Sequence, residues 1–184
     1  MEKHTATVKN QEVEKRCAFA YEIVGTMVTA LVFLAVVFCF LFRVVNVDGD
    51  SMLPTLMDQE RLLLTCGYSA PQHGDIVVVS RDEKEPLIKR VIACAGDTIV
   101  IRDGVVVLNG AVLDEPYLDS TTITDAGIFE TEAVVPENCF VVLGDNRENS
   151  HDSRAIAVGF VDVKDIMGKI VCRIWPIDKF GSVA

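Results

Sequence analysis

The stretch TIVIRDGVVVLNG, residues 98–110, decides the fold. Thr98–Arg102 and Val105–Leu108 are runs rich in β-branched residues, and Asp103-Gly104 stands between them. An Asp-Gly pair takes the positive φ angles of a two-residue hairpin turn with little strain, so the spacing predicts two antiparallel strands. Asn109-Gly110 supplies another turn directly afterwards. The pattern continues outward in both directions. Upstream, Arg61–Cys66 is followed by Gly67, Asp75–Ser80 is introduced by His73-Gly74, and Leu87–Ala95 is ended by Gly96-Asp97. Downstream, Cys139–Leu143 is ended by Gly144-Asp145, and Ile166–Ile174 runs up to Trp175-Pro176. Asp119–Thr131 is polar, rich in Thr and Asp, and reads as a loop or a weak hairpin. No repeat and no low-complexity tract is visible. The fold class is mainly β, an antiparallel sheet domain.

One segment departs from this pattern. IVGTMVTALVFLAVVFCFLF, Ile23 to Phe42, carries no charge. As a helix it reaches about 30 Å, the hydrocarbon thickness of a bilayer. No small-residue cleavage pattern ends it; it closes on Phe40, Leu41, Phe42, Arg43 and Val44, so a retained signal-anchor fits better than a removed leader. The expected division is a cytoplasmic tail over residues 1–22, a transmembrane anchor over 23–42, and an extracytoplasmic β-rich domain over 43–184. Lys9, Lys15 and Arg16 precede the apolar run while Arg43 alone follows it closely, which favours a cytoplasmic N-terminus in the cell membrane.

The chain has 184 residues, enough for one anchor and one compact domain. Its formal net charge of −10 argues against nucleic acid as a partner, since phosphate binding needs clustered Lys and Arg. A mean hydropathy of +0.33 is explained largely by the anchor. Cys66, Cys94, Cys139 and Cys172 are scattered, with no Cys-x-x-Cys and no His at zinc spacing, so they do not read as a metal site; small buried thiols are the preferred reading, and a disulfide stays open for an exported domain.

Three segments hold candidate chemistry. In Gly49-Asp50-Ser51-Met52-Leu53-Pro54-Thr55-Leu56, Ser51 lies between a Gly and a Pro, on a constrained turn. A nucleophilic hydroxyl needs a base. His4 lies in the tail and His73 in a turn; His151, in Ser150-His151-Asp152, is the better histidine. The rival is Lys89, in the apolar run from Pro86 to Ala93. Alternation sets Lys89 on the face of Leu87 and Val91, opposite Ile88, Arg90 and Ile92. Burial there would strip the ammonium of water and lower its pKa, as a lysine base requires. The third segment runs from Gly144 to Arg154. It lacks the Gly and Glu of a calcium loop, and Asp152 and Arg154 alternate so that they can pair.

Taken together, GDSMLPTL, the GDIVV run at 74–78, IKRVIACAGD, the hairpin ending in Asn109-Gly110, VVLGDNRENSHDSR and the stretch Gly168 to Pro176 resemble the bacterial type I signal peptidase family. The resemblance follows the family's order through nearly the whole chain. It implies Ser51 as nucleophile, Lys89 as general base, Ser150 as the hydroxyl that orients the lysine amine, Asp152 and Arg154 as a supporting ion pair with Asp145 nearby, and Met52 beside the nucleophile in the substrate cleft. The Ser/Lys pairing agrees with the reading of the residues. One position departs: some members carry a Ser two places before the nucleophile to help bind the oxyanion, and this chain has Gly49, as in the Gram-positive branch. Losing one oxyanion donor costs on the order of 3 kcal/mol. Relatives of the endoplasmic reticulum carry His where Lys89 stands, so the resemblance is to the bacterial type.

The resemblance implies a membrane-bound serine endopeptidase that removes signal peptides from exported preproteins after small residues, at Ala-x-Ala sites, with no cofactor and no metal. Its partners would be preproteins and membrane lipid. Three rivals stand beside it: a LexA-like self-cleaving protein, a tethered binding module on an inactive protease fold, and a Ser/His protease using His151.

Overall fold

A computed structural model describes residues 2–68, 70–81 and 84–183. Met1 and Ala184, the outer ends of the expected tail and domain, lie outside the described residues. The chain divides into two units, Met1–Leu41 and Phe42–Ala184.

The first unit is a single helix, α1, Glu2–Leu41. It is longer than the anchor and takes in the polar tail. No Pro interrupts that tail, and its Ala, Glu, Gln and Lys residues are good helix formers. Arg16–Leu41 is long and apolar enough to cross a membrane, and none of it is buried against protein. The Thr26 and Thr29 hydroxyls donate back to the Glu22 and Gly25 carbonyls at 2.8 Å each, so both polar groups are satisfied within the helix. The helix stops one residue before the expected Phe42, where a strand begins.

Among the described residues the second unit holds twelve strands: β1 Phe42–Asn46, β2 Arg61–Cys66, β3 Ile76–Arg81, β4 Lys84–Ala93, β5 Thr98–Arg102, β6 Val105–Leu108, β7 Ala111–Val112, β8 Ala133–Val134, β9 Cys139–Leu143, β10 Val161–Asp162, β11 Ile166–Trp175 and β12 Gly181–Ser182. They form a large sheet in the order β1-β2-β11-β3-β4-β9-β10, with β12 on β11, and a small sheet in the order β7-β6-β5-β8. The pairings are antiparallel, as the turn chemistry predicts. Asp103 and Gly104 have φ of 52° and 78°, the two positive values a tight hairpin turn requires, and Arg102 pairs with Val105 across it.

Side chains alternate between three apolar clusters. Ile76 and Val78 of β3 face one cluster with Val47, Met52, Leu56, Leu62, Leu64 and Ile170. Val77 and Val79 face another with Val91, Phe140 and Val142. A strand buried on both faces shows a continuous apolar run, and IVVV is one. The third cluster joins Ile92, Val141 and Leu143 of the large sheet to Ile99, Ile101 and Val106 of the small one. Phe129, from the segment read as a polar loop, is fully buried in it. That segment carries a short 3-10 turn, Gly127–Phe129, and is tied down by its one aromatic side chain.

Candidate active site

The loop between β1 and β2 is closed like a continued hairpin: Val47 N donates to Glu60 O at 2.8 Å and Gln59 N to Val47 O at 2.9 Å. Within it, Leu53 N bonds to Asp50 O and Leu56 N to Met52 O, which makes one helical turn. Gly49 enters this turn at φ 81°, in the left-handed region that favours glycine, and its N–H donates to Asp58 Oδ1 at 3.0 Å. A Ser at this position would add backbone strain, so the local conformation accounts for the Gly there. Met52 and Leu56 face inward at helical spacing and anchor the turn in the core. Met52, expected to line the cleft, is therefore 1% exposed and belongs to the core. Ser51 is left on the outer side of the turn, half-buried.

Lys89 reaches Ser51 from the middle of β4. Its Nζ donates to Ser51 Oγ at 2.6 Å and to the Ile88 carbonyl at 3.0 Å. The residue is 1% exposed. Burial pushes its pKa down to about 8, against the pull of the Asp152 and Asp145 charges, which favour the ammonium. Leu87 and Val91 share one cluster and Ile88 packs against another, as alternation predicts. Next to it, Arg90 is also buried. Its guanidinium holds Asp145 through two bonds of 2.9 and 2.7 Å, donates to the Gly74 carbonyl at 2.9 Å, and lies over the Tyr117 ring at 3.9 Å. Asp145 also accepts from Thr55 Oγ1 at 2.5 Å, which ties the Ser51 turn to the same carboxylate.

The polar segment after β9 folds back over this centre. Asn146 N donates to Ser51 O, and Asn146 Nδ2 to Asp50 O, both at 3.0 Å. Asp152 is fully buried; Arg154 grips it through Nε and Nη2 at 2.8 Å each, and Gly144 N donates to it at 3.0 Å. Burial alone would raise the Asp152 pKa, but the Arg154 and Gly144 hydrogen bonds outweigh it and hold the carboxyl below its ordinary value. Ser150 lies close enough to Asp152 to contribute to that lowering, yet its buried Oγ makes no well-formed hydrogen bond among the described residues. The amine it was expected to orient is instead held by Ser51 Oγ and Ile88 O. Ser153 locks the segment to β9, accepting from Val142 N at 3.0 Å.

The fold thus gathers Ser51, Lys89, Asp145, Ser150, Asp152 and Arg154 into one region. His151 is exposed, and the hydrogen bond that reaches Ser51 Oγ comes from Lys89. Three contributors went unread in the sequence. Arg90 was visible only as a second charge in the apolar run. Arg147 is buried and donates to Gly144 O, Thr124 and Glu115, bracing the segment from the side of the small sheet. Gly144 was read as a turn; a Cβ there would collide with Ser150 Oγ and with the Ser51 carbonyl. Beside Ile88, a cavity of about 290 Å³ is lined by Val45, Val78, Pro86, Ile88 and Met167, together with the polar Asn46, Asp48 and Glu85. A hydroxyl nucleophile touching a desolvated amine is the minimum for acyl transfer without a histidine.

A family model described as "Signal peptidase, peptidase S26" matches residues 20–175. Signal peptidase IB of Staphylococcus aureus is 33% identical over 176 residues, covering 86% of this chain and 91% of that protein. Signal peptidase I of Leptolyngbya laminosa is 36% identical over 149 residues, covering 74% of this chain and 70% of that protein. A crystal structure of a signal peptidase I from Enterococcus faecalis matches 54% of this chain and 96% of that chain at 30% identity, with a TM-score of 0.45.

Proposed function

From the premise that this chain belongs to the signal peptidase family, peptidase S26, serine peptidases that remove signal peptides, we propose that it does so with Ser51 as nucleophile and Lys89 as general base. The observation that carries this reading is the 2.6 Å contact between a buried amine and the Ser51 hydroxyl.

The preprotein lies extended beside β4, with small side chains at −1 and −3 filling the apolar cavity near Ile88 and giving Ala-x-Ala selectivity. Neutral Lys89 accepts the Ser51 Oγ proton as Oγ attacks the scissile carbonyl. The developing oxyanion meets the Ser51 backbone N–H, which donates to no acceptor among the described residues. Collapse breaks the C–N bond, and Lys89 delivers its proton to the leaving amine of the mature protein. Lys89 then takes a proton from water as the water oxygen adds to the acyl carbon; collapse breaks the acyl C–Oγ bond, Lys89 returns the proton to Ser51 Oγ, and the signal peptide leaves as an acid that ionises to its carboxylate in solvent. Asp145 and Asp152, held by Arg90 and Arg154, position Ser51 and the segment around Ser150 without touching the reacting atoms. Helix α1 anchors the chain in lipid, with residues 1–22 cytoplasmic and the Phe42–Ala184 unit extracytoplasmic.

The test is cleavage of a preprotein bearing an Ala-x-Ala site by the detergent-solubilised full chain. The parent is expected to cut at that site, and Ser51→Ala and Lys89→Ala to lose at least about 10³-fold in rate while staying folded. His151→Ala is expected to keep its activity. An active Lys89→Ala variant, or a folded parent that cuts nothing, would overturn the assignment.

A further inference from the structure

A second group of reactive side chains stands outside the Ser51–Lys89 pair, where the turn before β3 meets the turn after β4. We propose that His73, Cys94 and Asp97 form a binding site for a thiophilic divalent transition-metal cation of the Zn²⁺ class. Each offers one donor atom, and these atoms all lie within 4.8 Å of one another.

Cys94-Ala95-Gly96-Asp97 has the spacing of a Cys-x-x-Cys knuckle, with a carboxylate in the place of the second sulfur. The turn is closed twice, by Asp97 N to Cys94 O at 3.0 Å and by Cys94 N to Asp97 Oδ2 at 2.7 Å. The third donor comes from the opposite turn, where Gly74 N bonds to Val91 O at 2.9 Å. Cys94 Sγ is aimed at that turn and donates to the Pro71 carbonyl at 3.5 Å. His73 Nε2 already meets Asp97 Oδ2 at 2.7 Å.

The carboxylate is oriented from behind. Asn109 Nδ2 donates to Asp97 Oδ1 at 2.8 Å, while Asn109 Oδ1 accepts from Thr98 N at 2.9 Å. Such outer contacts are what fix metal ligands in place. Bonds of about 2.0 Å to nitrogen and oxygen and about 2.3 Å to sulfur set tetrahedral donors roughly 3.3–3.8 Å apart. His73, half of whose side chain is exposed, needs only a small retreat from Asp97 to meet that spacing. A thiolate, a carboxylate and a neutral imidazole balance a dication, and water takes the fourth position. The thiolate favours Zn²⁺ or Co²⁺ over Ca²⁺ or Mg²⁺, which take oxygen donors. Binding forms one bond to each of N, S and O and releases the Cys94 thiol proton to solvent.

The cation would pin the turn carrying Gly74, whose carbonyl accepts from Arg90. Its role is that of a staple at the edge of the domain, and the proposal does not depend on which residue is the catalytic base. The experiment is a titration of the metal-free, detergent-solubilised full chain with Co²⁺. The expected result is a sulfur-to-cobalt charge-transfer band with four-coordinate visible absorption, saturating near one equivalent. The band disappears in Cys94→Ser and persists in Cys139→Ser, and Zn²⁺ raises the melting temperature of the parent but not of Cys94→Ser. Should Cys94→Ser fail to fold, His73→Ala at its exposed position decides, and must weaken Co²⁺ binding by about tenfold or more. No band, or a band unchanged by these substitutions, overturns the proposal.

Discussion

At the residue scale, burial and charge act against each other on Lys89. Its amine is cut off from water, and its pKa falls to about 8 in spite of two carboxylates that favour the charged form. About a tenth of the amine is then neutral at pH 7, against well under a thousandth at the ordinary lysine value. The kcat/KM for a preprotein should therefore rise about tenfold per pH unit below pH 8 and level off above it, measured between pH 6 and 10. A profile flat through pH 8 would separate the base from Lys89. Stability carries the same signature with a definite sign. The folded pKa lies below the unfolded one, so protonated Lys89 costs the fold about 3 kcal/mol below pH 8, a cost that fades as pH rises towards 10.5. Lys89→Met should be inactive yet resist urea at least as well as the parent at pH 7, with any advantage gone near pH 10.5.

At the element scale, β4 and the segment after β9 are joined by charge. Arg90 and Asp145 are both buried and share two hydrogen bonds. Removing the Asp145 charge leaves the buried Arg90 guanidinium without its counter-ion, with the Gly74 carbonyl and the Tyr117 ring as its remaining partners, so Asp145→Asn should cost about 3–5 kcal/mol in urea unfolding. Arg90→Met added to Asp145→Asn should recover part of that loss, because the orphaned guanidinium is gone. A loss under about 1 kcal/mol for Asp145→Asn would mean that water reaches the pair. Most elements were legible because turn residues bracket them: β2, β5, β6 and β9 span the runs read from the sequence. β1 and the two-residue strands were not legible. They are strands only through their partners, as Phe42 is through Thr65.

At the scale of the whole molecule, the chain joins a helix whose Arg16–Leu41 part is apolar to a β unit with its own core. Phe33 and Phe40 on that helix are exposed, which is the condition lipid relieves. The proposed direction rests on the bias of Lys9, Lys15 and Arg16 over Arg43. In intact cells stripped of their wall, a peptide tag appended after Ala184 should be removed by added protease, and a tag before Met1 should be protected. The reverse pattern would invert the proposed topology.

Local physics controls the features that can be read along the chain. Hairpin turns follow from the φ angles that Asp-Gly and Asn-Gly tolerate, and the apolar helix from an uncharged run of bilayer length. Ser51 and Lys89 stood out because a Ser between Gly and Pro, and a Lys inside an apolar strand, are locally costly placements. What those residues meet is set by long-range packing. Lys89 and Ser51 lie 38 positions apart in the chain, and Arg90 and Asp145 lie 55 apart. No local preference carries such pairings. The same holds for Gly144, whose missing side chain matters only because Ser51 and Ser150 close around it. It holds too for His73, which meets the local Cys94–Asp97 turn because two turns are brought together at one end of β4. Burial, which sets the Lys89 pKa, is a property of packing and comes into being only with the folded core.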